Sequence, residues 1–248
     1  MPEASMVGIL QARTSSTRLP GKVLKPILGR PMLARQIERL KRCRSLDRLV
    51  VATSLGAEDD PLERLCREEG VDCFRGSLSD VLDRFYQCAL QNDAGHVVRL
   101  TGDCPLADHE LIDSLIGFYL GLDVDYASNC RPPTLPDGLD AEVFRFEAMA
   151  EAWREATDPF EREHVVPYIV RRPGRFRLAN WSWTGNAAKM RWTVNEPEDF
   201  EFVTRVYQCL HPGNPDFGFR DVLELVAKRP DLTSINQGFN RNEGSRNK

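Results

Sequence analysis

The sequence predicts an α/β fold built on a mostly parallel sheet, and three observations carry that prediction. Short apolar runs such as Val7-Gly8-Ile9-Leu10 alternate with segments whose apolar residues recur at helical spacing. The alternation is regular through the first half of the chain, which calls for crossover connections and therefore for parallel strands covered on both faces. The 248 residues, 42% of them hydrophobic, are enough to bury one sizeable core.

The elements follow in order. Residues 7–10 read as a buried strand, because the apolar run ends at the turn-rich Thr14-Ser15-Ser16-Thr17-Arg18-Leu19-Pro20-Gly21. Residues 31–43 read as a helix, with Met32, Leu33, Ile37 and Leu40 on one face and Pro31 suited to the first turn. The pattern repeats as a strand at 49–52, a helix at 60–69, a short strand at 71–74, a helix at 80–91, a strand at 96–100 and a helix at 108–120. Ligands of such sheets bind beyond the carboxyl ends of the strands. The loops after Leu10 and after Leu100 are therefore expected on the same edge.

From 125 to 185 the alternation is irregular, with Arg131-Pro132-Pro133 and Leu135-Pro136-Asp137-Gly138 marking loops and helices expected near 147–156 and 160–170. This stretch is read as a small acceptor or dimerisation lobe. Trp181 and Trp183 alternate in one expected strand and so share a face, suited to a dimer surface, whereas Trp192 is read as structural. A strand at 190–194 and helices at 197–209 and 219–228 complete a single domain over 1–230. Residues 231–248, polar and rich in Gly and Asn toward their end, are expected to be a disordered tail.

Composition excludes several classes. No window approaches ~18 consecutive apolar residues, and the Met-Pro-Glu-Ala-Ser start lacks a secretory pattern, so a soluble cytoplasmic protein is expected, with no membrane partner. The seven cysteines form no C-x-x-C pair and are read as reduced packing residues, and the four histidines have no zinc-ligand spacing. A net charge of −4 gives no reason to expect nucleic acid. Locally, however, eleven Lys or Arg between Ala12 and Arg48 stand against two acids, so this end of the chain is built to meet anions.

Arg13, Arg18 and Lys22 lie in the loop 11–22, among small hydroxyls and a glycine, directly after a buried strand. That composition suits a triphosphate: small-residue turns present backbone N–H groups, Arg binds phosphate bidentately and Lys adds a compact charge. It is not a Walker A loop, because Val23 follows Gly21-Lys22, and no G-x-G-x-x-G is present. Asp103, in Thr101-Gly102-Asp103-Cys104-Pro105, follows the strand at 96–100 and is expected at its carboxyl end, where a carboxylate can hold Mg²⁺. Together these features describe metal-assisted phosphoryl or nucleotidyl transfer.

The chain resembles the acylneuraminate cytidylyltransferases, in particular their branch of spore coat polysaccharide biosynthesis protein F. The resemblance rests on Gln11 to Lys22, Phe74-Arg75-Gly76-Ser77, Asp80-Val81-Leu82-Asp83-Arg84-Phe85 and Arg99-Leu100-Thr101-Gly102-Asp103. It continues through Asp137-Gly138-Leu139-Asp140-Ala141-Glu142, Glu161-Arg162-Glu163-His164 and Arg191-Trp192-Thr193-Val194-Asn195-Glu196-Pro197-Glu198-Asp199. It implies a glycosyltransferase-A-like α/β fold, CTP as donor, a small acidic sugar as acceptor, Mg²⁺ as metal and a homodimer. By the same resemblance, Arg13, Lys22 and Asp103 are catalytic, and Gln11, Ala12, Arg13, Ser16, Arg18, Lys22, Arg75, Gly76, Ser77, Thr101 and Gly102 bind the nucleotide. Asp140, Glu142, Glu163, His164 and Tyr168 fall at the acceptor site, and Asp103 and Asn195 at the metal.

Asn195 is a departure, since close relatives carry Asp there; an amide oxygen binds Mg²⁺ more weakly than a carboxylate. Sugar-phosphate uridylyltransferases of similar fold use Asn at a comparable place. Two other readings stay open on the sequence: a glycosyltransferase of the same fold, using Asp123-Val124-Asp125 as its metal motif, and a non-catalytic nucleotide-binding relative.

Overall fold

The computed structural model describes residues 4–239 and 241. The first strand, β1 (Ser5–Gln11), leads into a single 3₁₀ turn at Lys22–Leu24, a ribbon of β2 (Pro26–Ile27) and β3 (Arg30–Pro31), and helix α1 (Met32–Leu40). Then come β4 (Arg48–Ser54), α2 (Asp60–Glu69), β5 (Asp72–Gly76), α3 (Val81–Gln91), β6 (Ala94–Thr101) and α4 (His109–Leu120). The second half holds β7 (Tyr126–Ser128), β8 (Glu142–Arg145), α5 (Phe146–Glu155), α6 (Pro159–His164), α7 (Pro167–Val170) and β9 (Leu178–Asn180). Helices α8 (Pro197–Leu210), α9 (Phe219–Lys228) and α10 (Pro230–Ser234) follow.

The seven-stranded sheet runs β5-β4-β1-β6-β8-β7-β9. Strands β5, β4, β1 and β6 are mutually parallel and β8 is antiparallel to both its neighbours. Successive side chains of a strand face opposite ways, and here both faces are covered. Met6 and Leu10 of β1 pack with Leu33, Ile37 and Ile116, while Val7 and Ile9 pack with Leu82, Phe85 and Met149. The chain order grows outward from β1 in both directions, so the connections leaving β1 and β6 diverge and open a crevice at their carboxyl ends. Gly102 N–H donates to Gln11 O at 2.8 Å across that point, and a Cβ on Gly102 would come within 2.9 Å of Ala12 Cβ. The expectation that the loops after Leu10 and Leu100 share an edge holds.

The remaining differences have local causes. The helix expected over 160–170 is two helices, because Val165 adopts φ 71° and Pro167 has no N–H to continue the ladder. The strand expected at 190–194 is an extended segment with one bridge, Asp137 to Arg191, so it is not a sheet member. Trp181 and Trp183 lie just beyond β9, and both pack partly buried against the core, Trp183 edge-on to Phe219 at 5.1 Å. Within the expected tail, residues 231–239 and 241 are placed: Leu232 is buried in α10 and Asn236 is 3% exposed, held by hydrogen bonds described below. Residue 240 and residues 242–248 of that tail lie outside the described residues. No helix among the described residues is long and apolar enough to cross a membrane.

Candidate active site

The crevice between the β1 and β6 loops is a cavity of about 450 Å³. One side of it is the loop after β1. Asp59, fully buried, accepts from Thr14 N–H and Thr14 Oγ1 at 2.8 Å each and from Ser54 Oγ at 2.6 Å, which ties the loop to the end of β4. Burial raises the Asp59 pKa, but the hydrogen bonds from Ser54 and Thr14 outweigh it and hold the carboxyl below its ordinary value. Gly21 then turns the chain at φ 66°, a conformation glycine adopts without cost, and its N–H returns to Thr14 O at 2.9 Å. The result leaves Arg13, Thr17 and Arg18 facing the cavity and Lys22 buried beneath it.

Lys22 is the junction of the site. Its ammonium donates to Val194 O at 2.6 Å and Asn195 Oδ1 at 2.9 Å and lies 3.7 Å from Asp103 Oδ2. Asp103 is in turn docked on the 193–195 segment, its carbonyl accepting from Val194 N–H at 2.8 Å and Thr193 Oγ1 at 3.2 Å. Burial pushes the Asp103 carboxyl up, yet Lys22 and the Thr101 and Cys104 side chains bring it below its ordinary value, so it is ionised near neutrality.

The Asn195 backbone is fixed by Asp199, which is wholly buried at the start of α8. Its carboxylate accepts from Asn195 N–H and Glu196 N–H at 2.9 Å each and takes a two-pronged Arg191 contact at 2.8 Å per prong. Glu196, the N-cap of α8, pairs with Arg18 at 3.0 Å, so the loop after β1 and the 193–196 junction are joined twice.

The opposite half of the cavity is lined by Asp137, Asp140, Glu142, Glu163 and His164. Glu142 accepts from Arg99 at 2.5 Å and Tyr126 OH at 2.6 Å, with Arg131 at 3.7 Å. Burial alone would raise its pKa, but Arg99 and Arg131 bring it below the ordinary value. Asp140 behaves oppositely: burial dominates, neighbouring carboxylates add to it, and its pKa is pushed up to about 7 despite the ion pair with Arg241.

Half of the residues expected at a site therefore meet in one cavity. Arg13, Arg18, Thr101, Asp103, Asp140, Glu142, Glu163, His164 and Asn195 line it. Gln11, Ala12 and Gly102 are not among its lining residues; they join the ends of β1 and β6, Gly102 N–H donating to Gln11 O, and Ser16 braces the loop by accepting from Leu19 N–H at 3.4 Å. Arg75, Gly76, Ser77 and Tyr168 do not line it. The Arg75 guanidinium is held by Ser54 O, Gly56 O, Asp60 and Glu63 at the start of α2. Ser77 Oγ accepts from Asp80 N–H, and Tyr168 OH donates to Glu155 at 2.7 Å beneath α5. Asp123 and Asp125 pair with Arg145 and Arg177, and Arg145 stands opposite His96, near the start of β6 and away from the cavity. That placement removes the basis for the glycosyltransferase reading. Asp59, Asp199, Asn236 and Arg241 were not identified from the sequence. Only Asp199 had a local signal, the Glu196-Pro197-Glu198-Asp199 start of a helix.

A family model described as Cytidylyltransferase matches residues 7–212. The spore coat polysaccharide biosynthesis protein SpsF of Bacillus subtilis is 34% identical over 233 residues, covering 91% of this chain and 95% of that protein. The structure of a cytidylyltransferase from Leptospira borgpetersenii superposes with a TM-score of 0.91 at 30% identity, covering 96% of this chain and 100% of that one. A 3-deoxy-manno-octulosonate cytidylyltransferase of Zea mays is 40% identical over 114 residues, 44% of this chain and 37% of that protein.

Proposed function

The chain belongs to the cytidylyltransferase family, and from that premise we propose that it transfers CMP from CTP to an acidic sugar of the keto-sugar-acid class, with release of pyrophosphate. The observation that carries the reading is the meeting of Lys22, Asp103 and Asn195 where the β1 and β6 loops diverge. The 3-deoxy-manno-octulosonate of the Zea mays relative supports an acidic sugar as acceptor, and the SpsF relative supports a role in surface polysaccharide synthesis.

Arg13 and Arg18 bind the terminal phosphates, and the backbone of the 13–17 turn surrounds their oxygens. Lys22 neutralises charge that develops on the departing pyrophosphate. Because it is already held by Val194 and Asn195, it needs no reorganisation when the reaction occurs.

Asp103 and Asn195 would hold Mg²⁺. Their oxygens already converge on one cation, the Lys22 ammonium, and both are hard donors. Two protein oxygens would leave the rest of the shell to phosphate oxygens and water. Bound there, the ion would supply charge neutralisation at the α-phosphate. The acceptor hydroxyl, placed by the Asp140–His164 side of the cavity, attacks the α-phosphorus in line and the pyrophosphate leaves. No covalent nucleophile is required.

The test is pyrophosphate release by the purified protein with Mg²⁺, each of the four NTPs and a panel of eight- and nine-carbon 2-keto-3-deoxy sugar acids. Release with CTP and one acid, and not with CTP alone, is expected. Release with a different NTP, or with neutral sugars only, would overturn the assignment.

A further inference from the structure

The C-terminal segment folds back on the site instead of leaving it. Asn236, 3% exposed, donates to Arg191 O at 3.0 Å and to Asp199 Oδ1 at 2.9 Å. The Phe239 ring lies 5.7 Å from the Arg191 guanidinium, and Arg241 donates to Leu135 O at 3.1 Å and to Asp140. Three successive attachments thus run from the buried frame of the site to the cavity wall, which Arg241 lines.

The charge of that wall gives the segment a role. Arg99 and Arg131 are held by Glu142, and Arg191 by Asp199 and Asp137. These cations are already balanced by carboxylates of the folded core. Asp140 faces the same space, and its ion pair is with Arg241 of the C-terminal segment. An anionic acceptor approaching this half without that cation meets the Asp140 carboxylate, whereas Asp137 and Glu142 are already paired with Arg191, Arg99 and Arg131. A guanidinium carries five donors, and the bonds to Leu135 and Asp140 use two, so one group can hold Asp140 and bind a carboxylate of the acceptor.

We infer that residues 235–239 and 241 form a strap that completes the acceptor half of the cavity, and that Arg241 is the residue by which the protein prefers acidic over neutral acceptors. The inference rests on the acidic-sugar reading above.

The experiment compares wild type, Arg241→Ala, Arg241→Gln and Arg241→Lys in the pyrophosphate assay. The probes are each 2-keto-3-deoxy sugar acid and the same sugar with its carboxylate reduced to an alcohol. Arg241→Ala and Arg241→Gln are expected to raise the KM for the acid by about 10- to 100-fold, the worth of one charge-assisted hydrogen bond. The KM for CTP should stay within about twofold, the preference for acid over alcohol should collapse, and Arg241→Lys should recover part of it. If wild type works on an acid and the Ala and Gln variants match it, the inference fails and the proposed function stands. An equal rise in the KM for CTP would make the strap structural and also overturn it. A wild type that uses only neutral acceptors, or none, removes the acidic-sugar reading and the inference together.

Discussion

Replacing Lys22 by Met removes a charged side chain that touches both candidate metal positions while keeping much of its apolar stem. Two close hydrogen bonds from a charged group are lost, to Val194 O and Asn195 Oδ1, each worth about 1.5–3 kcal/mol where solvent is scarce, and the Lys22 side chain is only 10% exposed. Asp103 also loses the cation that lowers its pKa. Part of the ground-state loss is regained when bound metal and phosphates reach the same oxygens, so the expected cost is that of one preorganised donor. That cost is about 2.7–4 kcal/mol, a fall in kcat of roughly 10²- to 10³-fold. The assay is steady-state pyrophosphate release at saturating CTP, with CTP affinity measured calorimetrically and the thermal midpoint by circular dichroism. Lys22→Arg keeps the charge but not the compact geometry and should fall between. A Lys22→Met enzyme within threefold of wild-type kcat would refute the role given to Lys22. So would a loss explained wholly by a lowered thermal midpoint.

Three further expectations follow from the same geometry. Asn195→Asp places a carboxylate on the proposed metal and should lower the Mg²⁺ concentration for half-maximal rate by roughly tenfold, read from Mg²⁺ titrations; an unchanged titration would separate Asn195 from the metal. Asp199→Asn breaks a fully buried pair with Arg191 and should destabilise the fold by about 3–5 kcal/mol in urea unfolding, whereas a loss under 1 kcal/mol would mean that Arg191 finds other partners. Asp140 has a pKa raised to about 7, so its neutral form is favoured on folding; that advantage is complete below its unfolded value near 3.8 and is lost as pH rises toward 7. Asp140→Asn should therefore gain stability relative to wild type between about pH 4 and 7, by about 1–2 kcal/mol after allowance for partial exposure, and a constant difference across that range would contradict it.

The first half of the fold was legible because strand, loop and helix alternate there with clear periods, and helix 60–69 has the expected bounds. That regularity also placed Arg13, Arg18 and Asp103 on the crevice, since they follow the strands that border it. What the sequence hid depended on contacts distant along the chain. Arg75 sits in a nucleotide-like motif but is claimed by Asp60 and Glu63. Residues 190–194 have strand composition, yet their hydrogen bonds go to Asp103, Asp137 and Asp199 rather than to a ladder. The segment after α10 is polar and Gly/Asn-rich, which reads as disorder, but Asn236 is polar because it serves a buried carboxylate and a backbone carbonyl. Composition reports a residue's preference for water and cannot report a specific partner.

The most direct test of the account is to follow the α-phosphate itself. Purified protein is incubated with CTP labelled at the α-phosphorus, Mg²⁺ and a 2-keto-3-deoxy sugar acid, and label in a CMP–sugar product is compared with pyrophosphate released. The account predicts label in the sugar product in equal amount to pyrophosphate, with both lost in Lys22→Met. Pyrophosphate release with the label appearing only as free CMP, or label remaining in CTP across the whole acid panel, would contradict it.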